Sequence, residues 1–307
     1  MLFYAIILHM APKTPKVVVI TRTKDRVLFL ERAIRSVHAQ TMTDFVHVII
    51  NDAGDPEPVE RLVHSYDGLI NGRVKLIHNT ESHGMEAASN KAIHSVDSVY
   101  IAIHDDDDTW HADFLKDAVA KLEETAAMGV VVRTEKVIEQ VSSDGKSIEQ
   151  LKGESWMPDL KVINLYRQCI DNQMTPITFL YKRQAYDEIG GYDEGLPVLG
   201  DWDFGIRFLR KYDVEFLDPG YALAFYHHRK YIPGSQNNNS FGDGTERHRY
   251  WSNKLMNKYL RQELAEGRLG VGYIMSNLKY ERSNTATMLK RVMPSFVVER
   301  LKRRVQN

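Results

Sequence analysis

The stretch Val99-Tyr100-Ile101-Ala102-Ile103-His104-Asp105-Asp106-Asp107-Asp108-Thr109-Trp110 runs an apolar segment into four consecutive carboxylates. The apolar part has the continuous character of a strand buried on both faces. Four adjacent aspartates disfavour one another's ionisation, so the cluster calls for a divalent cation or an Arg or Lys partner beside it. A solvated acidic turn is the alternative, and the flanking chain decides between the two.

Upstream, Lys16-Val17-Val18-Val19-Ile20-Thr21 is a β-branched run of buried-strand type. A helix over Val27 to Gln40 follows, with Leu30, Ala33, Ile34 and Val37 on one face, and then a strand at Phe45 to Ile50 stopped by Asn51-Asp52-Ala53-Gly54-Asp55-Pro56. The alternation continues with a helix over Val59 to Tyr66, a strand at Val74 to Ile77, a helix over Met85 to His94 and the strand at Val99 to Ile103. This pattern predicts a doubly wound α/β sheet, in which ligands sit beyond the carboxyl ends of the strands. Thr21 to Arg26, Asn51 to Asp55 and Asp105 to Asp108 therefore share one rim. The turn Thr21-Arg22-Thr23-Lys24-Asp25-Arg26 has no glycine, and neither a G-x-G-x-x-G nor a Walker-type loop occurs, which argues against a Rossmann dehydrogenase or a P-loop NTPase. Asp52 is placed to accept hydrogen bonds from a base or ribose, or simply to form its turn.

Downstream, the sequence predicts a helix from Ala112 to Glu124, a strand at Gly129 to Val132, a polar irregular segment from Lys136 to Trp156, a strand at Pro176 to Tyr181 and a short helix from Arg183 to Ile189. Gly200-Asp201-Trp202-Asp203 opens an amphipathic helix, where two acids complement the macrodipole whatever else they do. A strand at Val214 to Leu217 precedes Tyr226-His227-His228-Arg229. The run 234–244 reads as a mobile loop, followed by helices over Arg247 to Ala265, Gly272 to Glu281 and Ala286 to Arg304.

A chain of 307 residues can hold one large α/β domain and an appendage, or two modest domains. Its net charge of −1 argues against a nucleic-acid partner, and the single Cys169 forms no intrachain disulfide, consistent with a reducing compartment. The apolar opening, residues 1–10, is too short to span a bilayer and lacks a basic flank, so it reads as a frayed extension or extra strand. The tail carries Lys290, Arg291, Arg300, Lys302, Arg303 and Arg304 against Glu299, about +5. Interleaved with Met288, Leu289, Phe296 and Leu301, it reads equally as a segment for an anionic membrane surface through 285–304 or as a docked helix with a solvated basic face.

Taken in order, these motifs resemble the nucleotide-sugar-dependent glycosyltransferases of family 2, with the GT-A fold, from about Lys16 to His228. The likeness rests on the first strand and the helix Leu30 to Thr41, on Asn51-Asp52, on Gly84-Met85-Glu86-Ala87-Ala88-Ser89-Asn90-Lys91-Ala92-Ile93, on the tetrad at the D-x-D position, and on Gly190-Gly191-Tyr192-Asp193-Glu194. The resemblance implies a GT-A catalytic domain at 14–233, with a nucleotide-sugar half at 14–110 and an acceptor half at 111–233, then the loop 234–244 and a helical extension at 245–307. It implies Asp107 as ligand of an Mn²⁺ or Mg²⁺ cofactor, with Asp105 and Asp106 on the donor ribose or the coordination shell and His228, ahead of His227, as a further ligand; Arg229 is placed to pair with a phosphate. A hard cation of that kind bridges phosphates and neutralises the leaving diphosphate. Donor contacts fall on Thr21, Arg22, Thr23, Asp52 and Asn90. Asp201 matches the general base, Gly200 stands where the family carries Glu, and Trp202 and Asp203 lie on the acceptor side, Asp203 with a structural part. Asp108 is expected to cap the helix near Ala112, with Trp110 packed beneath. The expected reaction is inverting transfer from a UDP-sugar to a glycan or lipid-linked glycan by a cytoplasmic protein, peripheral at the inner membrane face where its tail binds. Rival readings are a non-catalytic carbohydrate-binding protein of the same shape and a nucleotidyltransferase, whose Gly- and Lys-rich phosphate loop is missing. The EF-hand reading fails, because the tetrad lacks the alternating spacing, the glycine and the distal Glu.

Overall fold

The computed structural model describes residues 14–142, 146–229 and 245–267, with Gly270, Gly272 and Met275. The expected opening extension, the loop 234–244, most of the helix over Gly272 to Glu281 and the basic tail lie outside these residues.

The strand β1 (Val17–Thr23), helix α1 (Val27–His38) and strand β2 (Phe45–Asp52) form the first crossover unit. They are followed by α2 (Pro56–Ser65), α3 (Asp67–Ile70), β3 (Val74–Asn79), α4 (Met85–His94) and β4 (Tyr100–Ile103). The pleat divides the sheet's side chains between two cores. Val18, Ile20, Val48, Ile50, Ile101 and Ile103 pack with Ala88, Ala92 and Ile93 of α4, whereas Val17, Val19, Phe45 and Ala102 pack on the opposite side. The helix α2 begins three residues earlier than the periodicity predicts. Pro56 fits the first turn, where no N–H is needed, and Asp55 accepts from the Glu57 N–H at 3.1 Å.

After β4 come β5 (Thr109–Trp110), α5 (Phe114–Glu124), β6 (Gly129–Val132), β7 (Thr134–Val141), β8 (Ile148–Ser155), α6 (Leu165–Gln168), β9 (Phe179–Lys182), α7 (Arg183–Ile189), α8 (Gly200–Leu209), β10 (Val214–Leu217), β11 (Ala224–Arg229) and α9 (Thr245–Ala265). One sheet has the order β10-β6-β9-β4-β1-β2-β3 and is parallel except at β9, which runs against both β4 and β6. The second sheet has the order β5-β11-β7-β8. The chain steps outward from β1 through β2 to β3 and then returns to the other side of β1 as β4. That reversal opens the crevice beyond the strand ends between β1 and β4.

Three expectations are corrected. The segment Lys136 to Trp156 is not irregular: β7 and β8 pair antiparallel across it, with a bulge between Ile138 and Glu139. Its outer strand is exposed along nearly its whole length, so no apolar alternation marks it. Pro176–Thr178 is a 3-10 turn, and the strand begins only at Phe179. Asp108 caps no helix. Two residues of strand separate it from the next turn, and the first-turn N–H of Leu115 is taken by the Gln40 side chain at 2.9 Å. Trp110 does pack beneath, stacked on Phe114 with ring centroids 4.0 Å apart.

Helix α9 lies on α8: Leu255, Met256 and Tyr259 share a buried cluster with Cys169, Trp202 and Ile206. Among the described residues, no helix is long and apolar enough to cross a membrane.

Candidate active site

A cavity of about 560 Å³ opens at the switch point, lined by the β1 turn, Asp52, the first turn of α4, the aspartate tetrad, Asp201, Tyr226, His228 and, from α9, His248. Each strand end contributes because parallel register brings the ends level: Thr23 lies opposite Asn51, and Asp52 opposite Asn79.

Asp106, Asp107 and Asp108 are buried, Asp105 is half-buried, and the tetrad is counter-charged by arginine. Arg22 pairs with Asp105. Arg26 bridges Asp106 at 3.0 Å and Asp107 at 2.7 Å, and Arg229 also reaches Asp107. Burial opposes ionisation of Asp107, but Arg26 and Arg229 outweigh it and hold the carboxyl well below its usual range. Asp106 moves the other way, because burial and the charge of Asp107 exceed the help from Arg26 and from the Thr23 hydroxyl, which donates at 2.8 Å. Asp108 is pushed furthest up, by burial and by the charges of Asp107 and Asp105. One of its oxygens accepts from the His227 N–H at 2.7 Å, and Oδ2 has no partner among the described residues.

Behind the tetrad stands Glu139, on the bulge of β7 and 2% exposed. Arg32 binds both its oxygens, at 2.6 and 3.2 Å, and His227 Nδ1 lies 2.7 Å away. Arg229 completes the set. Burial opposes its charge, yet His227 and Arg32 bring its pKa down to about 2. The guanidinium groups of Arg229, Arg26 and Arg32 face the Phe29 ring at 4.3, 4.8 and 5.8 Å. The sequence signalled that the tetrad needs a divalent cation or an Arg or Lys partner, but not that these arginines supply the counter-charge.

His227 and His228 separate as β11 alternates. His227 is enclosed between Glu139 and Thr109, whereas His228 lines the cavity with its buried Nε2 unpartnered among the described residues. Burial, with Lys136 nearby, lowers His228 to about 4, so its imidazole is neutral near pH 7. Arg229, expected at a phosphate, is spent on Asp107 and Glu139.

The donor chemistry fits a hard divalent cation shared with a diphosphate, since carboxylate oxygens and a neutral imidazole converge on the cavity. Among the described residues no three His, Cys, Asp or Glu side chains form a self-sufficient metal site. Phosphate oxygens would have to complete the shell.

Asp201 sits in the first turn of α8, with Oδ2 accepting from Asn172 at 2.8 Å and Oδ1 from the Trp202 N–H at 2.9 Å. Burial raises its pKa above the usual carboxylate value. Leu199, just before α8, holds φ +67°, a left-handed conformation costly for a branched side chain, and this turn aims Asp201 inward.

The remaining expected contacts divide. Arg22, Thr23 and Asp52 line the cavity. Burial works against the Asp52 charge, but donors from Ser82, Asn79, His83 and Gly84 hold its carboxyl below its ordinary value. Thr21 is fully buried, donating to the His104 carbonyl at 2.9 Å. Asn90 is consumed by the turn after α7, donating to the Tyr192 carbonyl at 3.0 Å and accepting from the Tyr186 hydroxyl at 2.7 Å. Trp202 and Asp203 turn away from the cavity. The Trp202 indole donates to the Gln168 carbonyl, and Asp203 is bound by Arg207 at 2.6 Å and Tyr259 at 2.9 Å. Glu86, missed in the sequence, lines the cavity beside the turn that carries Asp201.

The family described as Glycosyl transferase family 2 matches residues 17–190, more than half of the chain. An uncharacterized glycosyltransferase of Bacillus subtilis, YwdF, is 27% identical over 207 residues, covering 65% of this chain and 70% of its own. Another, from Methanocaldococcus jannaschii, is 25% identical over 194 residues, covering 62% and 64%. Among solved structures, S. aureus TarS residues 1–349 in complex with UDP-GlcNAc aligns with TM-score 0.58 at 18% identity, covering 74% of this chain. The chain spans 63% of that fragment, less than two thirds. The mannosyltransferase PcManGT of Pyrobaculum calidifontis, in complex with GDP-Man and Mn²⁺, aligns with TM-score 0.56 at 14% identity over 97% of this chain and 82% of its own. At these identities the likenesses carry the fold, GT-A, and no more.

Proposed function

The chain belongs to glycosyl transferase family 2, and we propose that it moves a sugar from a UDP-sugar to a hydroxyl of a glycan or lipid-linked glycan, with inversion at the anomeric carbon. The observation that carries this reading is the make-up of one cavity: a counter-charged carboxylate cluster at the strand ends and, from helix α8, a separate carboxylate, Asp201, raised by burial. TarS holds UDP-GlcNAc and PcManGT holds GDP-Man with Mn²⁺, which supports a nucleotide-sugar donor and a divalent cation.

Asp107, with Asp105 or Asp106 and the neutral His228, would hold the cation. When bound, Mn²⁺ or Mg²⁺ neutralises the charge growing on the leaving diphosphate. The protein's own residues do the rest. Arg22 and Arg26 keep the carboxylates oriented, and Asp52 with Thr23 borders the nucleoside end. Asp201 takes the proton from the acceptor hydroxyl as that oxygen attacks C1. Asn172 and the Trp202 N–H fix its two oxygens, and burial brings its basicity nearer neutral pH, where a general base is most effective.

The test follows nucleotide release from a panel of sugar nucleotides with Mn²⁺, with and without EDTA. EDTA abolishes release, Asp107→Ala lowers it at least about tenfold, and Asp201→Asn lowers it by ~10² or more, within the range of a positioned base. Unchanged turnover in either variant rejects that residue's role.

A further inference from the structure

We propose that Glu86 holds a sugar hydroxyl beside Asp201 and so fixes the pose from which transfer proceeds, an assignment that rests on the transferase reading above. Glu86 stands in the first turn of α4, 5% exposed, on the cavity wall. Its Oε2 is buried without a hydrogen-bond partner among the described residues. Backbone N–H groups of Glu86 and Gly200 reach the carboxyl, but a buried oxygen left without a donor is costly, so Oε2 asks for a ligand. Arg22 does not serve, because its Nη groups go to Ser89 and Asp105.

Gly200 supplies an independent observation. A Cβ built there would fall 2.3 Å from both Cγ and Oε1 of Glu86. The absence of a side chain at residue 200 is thus what lets the Glu86 carboxyl lie against the turn that carries Asp201. The position where the resemblance expects a glutamate is filled, from a different helix, by another one. Burial, with Asp201 nearby and Arg22 opposing, raises Glu86 to about 7. Near neutrality a substantial fraction of the carboxyl therefore carries a proton and donates to a hydroxyl oxygen. A sugar presents such hydroxyls on the donor ring and on the acceptor alike.

The experiment compares wild type with Glu86→Gln, Glu86→Ala and Gly200→Ala, the last displacing the carboxyl by sterics alone. The panel is UDP-glucose, UDP-GlcNAc, UDP-galactose and GDP-mannose, and titration calorimetry sets the fastest donor against its own nucleoside diphosphate. Affinity for the nucleoside diphosphate stays within twofold in every variant. Turnover, as kcat/KM, falls at least tenfold in Glu86→Ala and Gly200→Ala and recovers to within threefold of wild type in Glu86→Gln, whose amide still donates. A matching loss of sugar-nucleotide affinity assigns the hydroxyl to the donor; unchanged donor affinity with lower turnover assigns it to the acceptor. Equal turnover in all variants, a Gln variant as impaired as Ala, or a parallel loss of nucleoside diphosphate affinity overturns the assignment. A wild type that turns over no donor overturns the transferase reading instead.

Discussion

Glu139 shows how much of this site is set by groups that touch no substrate. One buried carboxylate is shared by Arg32, Arg229 and His227. Removing it takes from two guanidinium groups and an imidazole the one carboxylate they share, leaving buried positive charge under-compensated. Glu139→Ala is expected to lower stability by about 3–5 kcal/mol, read from urea midpoints at pH 7. Glu139→Gln gives the sign with pH. The folded pKa, about 2, lies below the ordinary 4.5, so the charge stabilises the fold fully above 4.5 and that contribution is lost as pH falls toward 2. The Gln variant therefore loses less stability than wild type across that window, and parallel acid profiles would reject the assignment. These partners were illegible in sequence because Glu139 lies 107 residues from Arg32 and 90 from Arg229, inside a run whose polarity reads as solvent-facing. The tetrad was legible, since four adjacent carboxylates at a strand end demand counter-charge wherever it comes from.

Elements were readable in proportion to the completeness of their burial. The strands β1, β2, β4 and β6 are apolar runs buried on both faces, and the sequence places each within a residue or two. The hairpin of β7 and β8 escaped, because its outer strand is held by polar pairs such as Gln140 to Glu149 at 2.7 Å rather than by an apolar face. The strand β9 was expected, but its reversed direction was not, since direction leaves no mark on periodicity. Its packing is tight at Gly129, opposite Tyr181, where a Cβ would fall 2.5 Å from the Phe179 ring and 3.2 Å from Phe208. Both rings are buried and have little room to shift, so Gly129→Ala is expected to destabilise by about 1–3 kcal/mol. A urea midpoint equal to wild type would show that the core relaxes.

At the level of the whole molecule, α9 is bound to the helix that carries Asp201. Tyr259 is 3% exposed and donates to Asp203, two residues along α8 from Asp201. Tyr259→Ala removes a buried ring and that donor together, for an expected loss of about 3–5 kcal/mol with a parallel fall in turnover. Retained stability would show the two helices to be independent. The arginine network also sets an order of assembly. Arg26 and Asp107 are 81 residues apart, and Asp107 and Arg229 are 122 apart. A chain emerging from the ribosome presents Arg22, Arg26 and the four aspartates before β11 brings Arg229, so the second guanidinium of Asp107 arrives last. Full neutralisation of the carboxylates in the crevice between β1 and β4 therefore waits on a long-range contact.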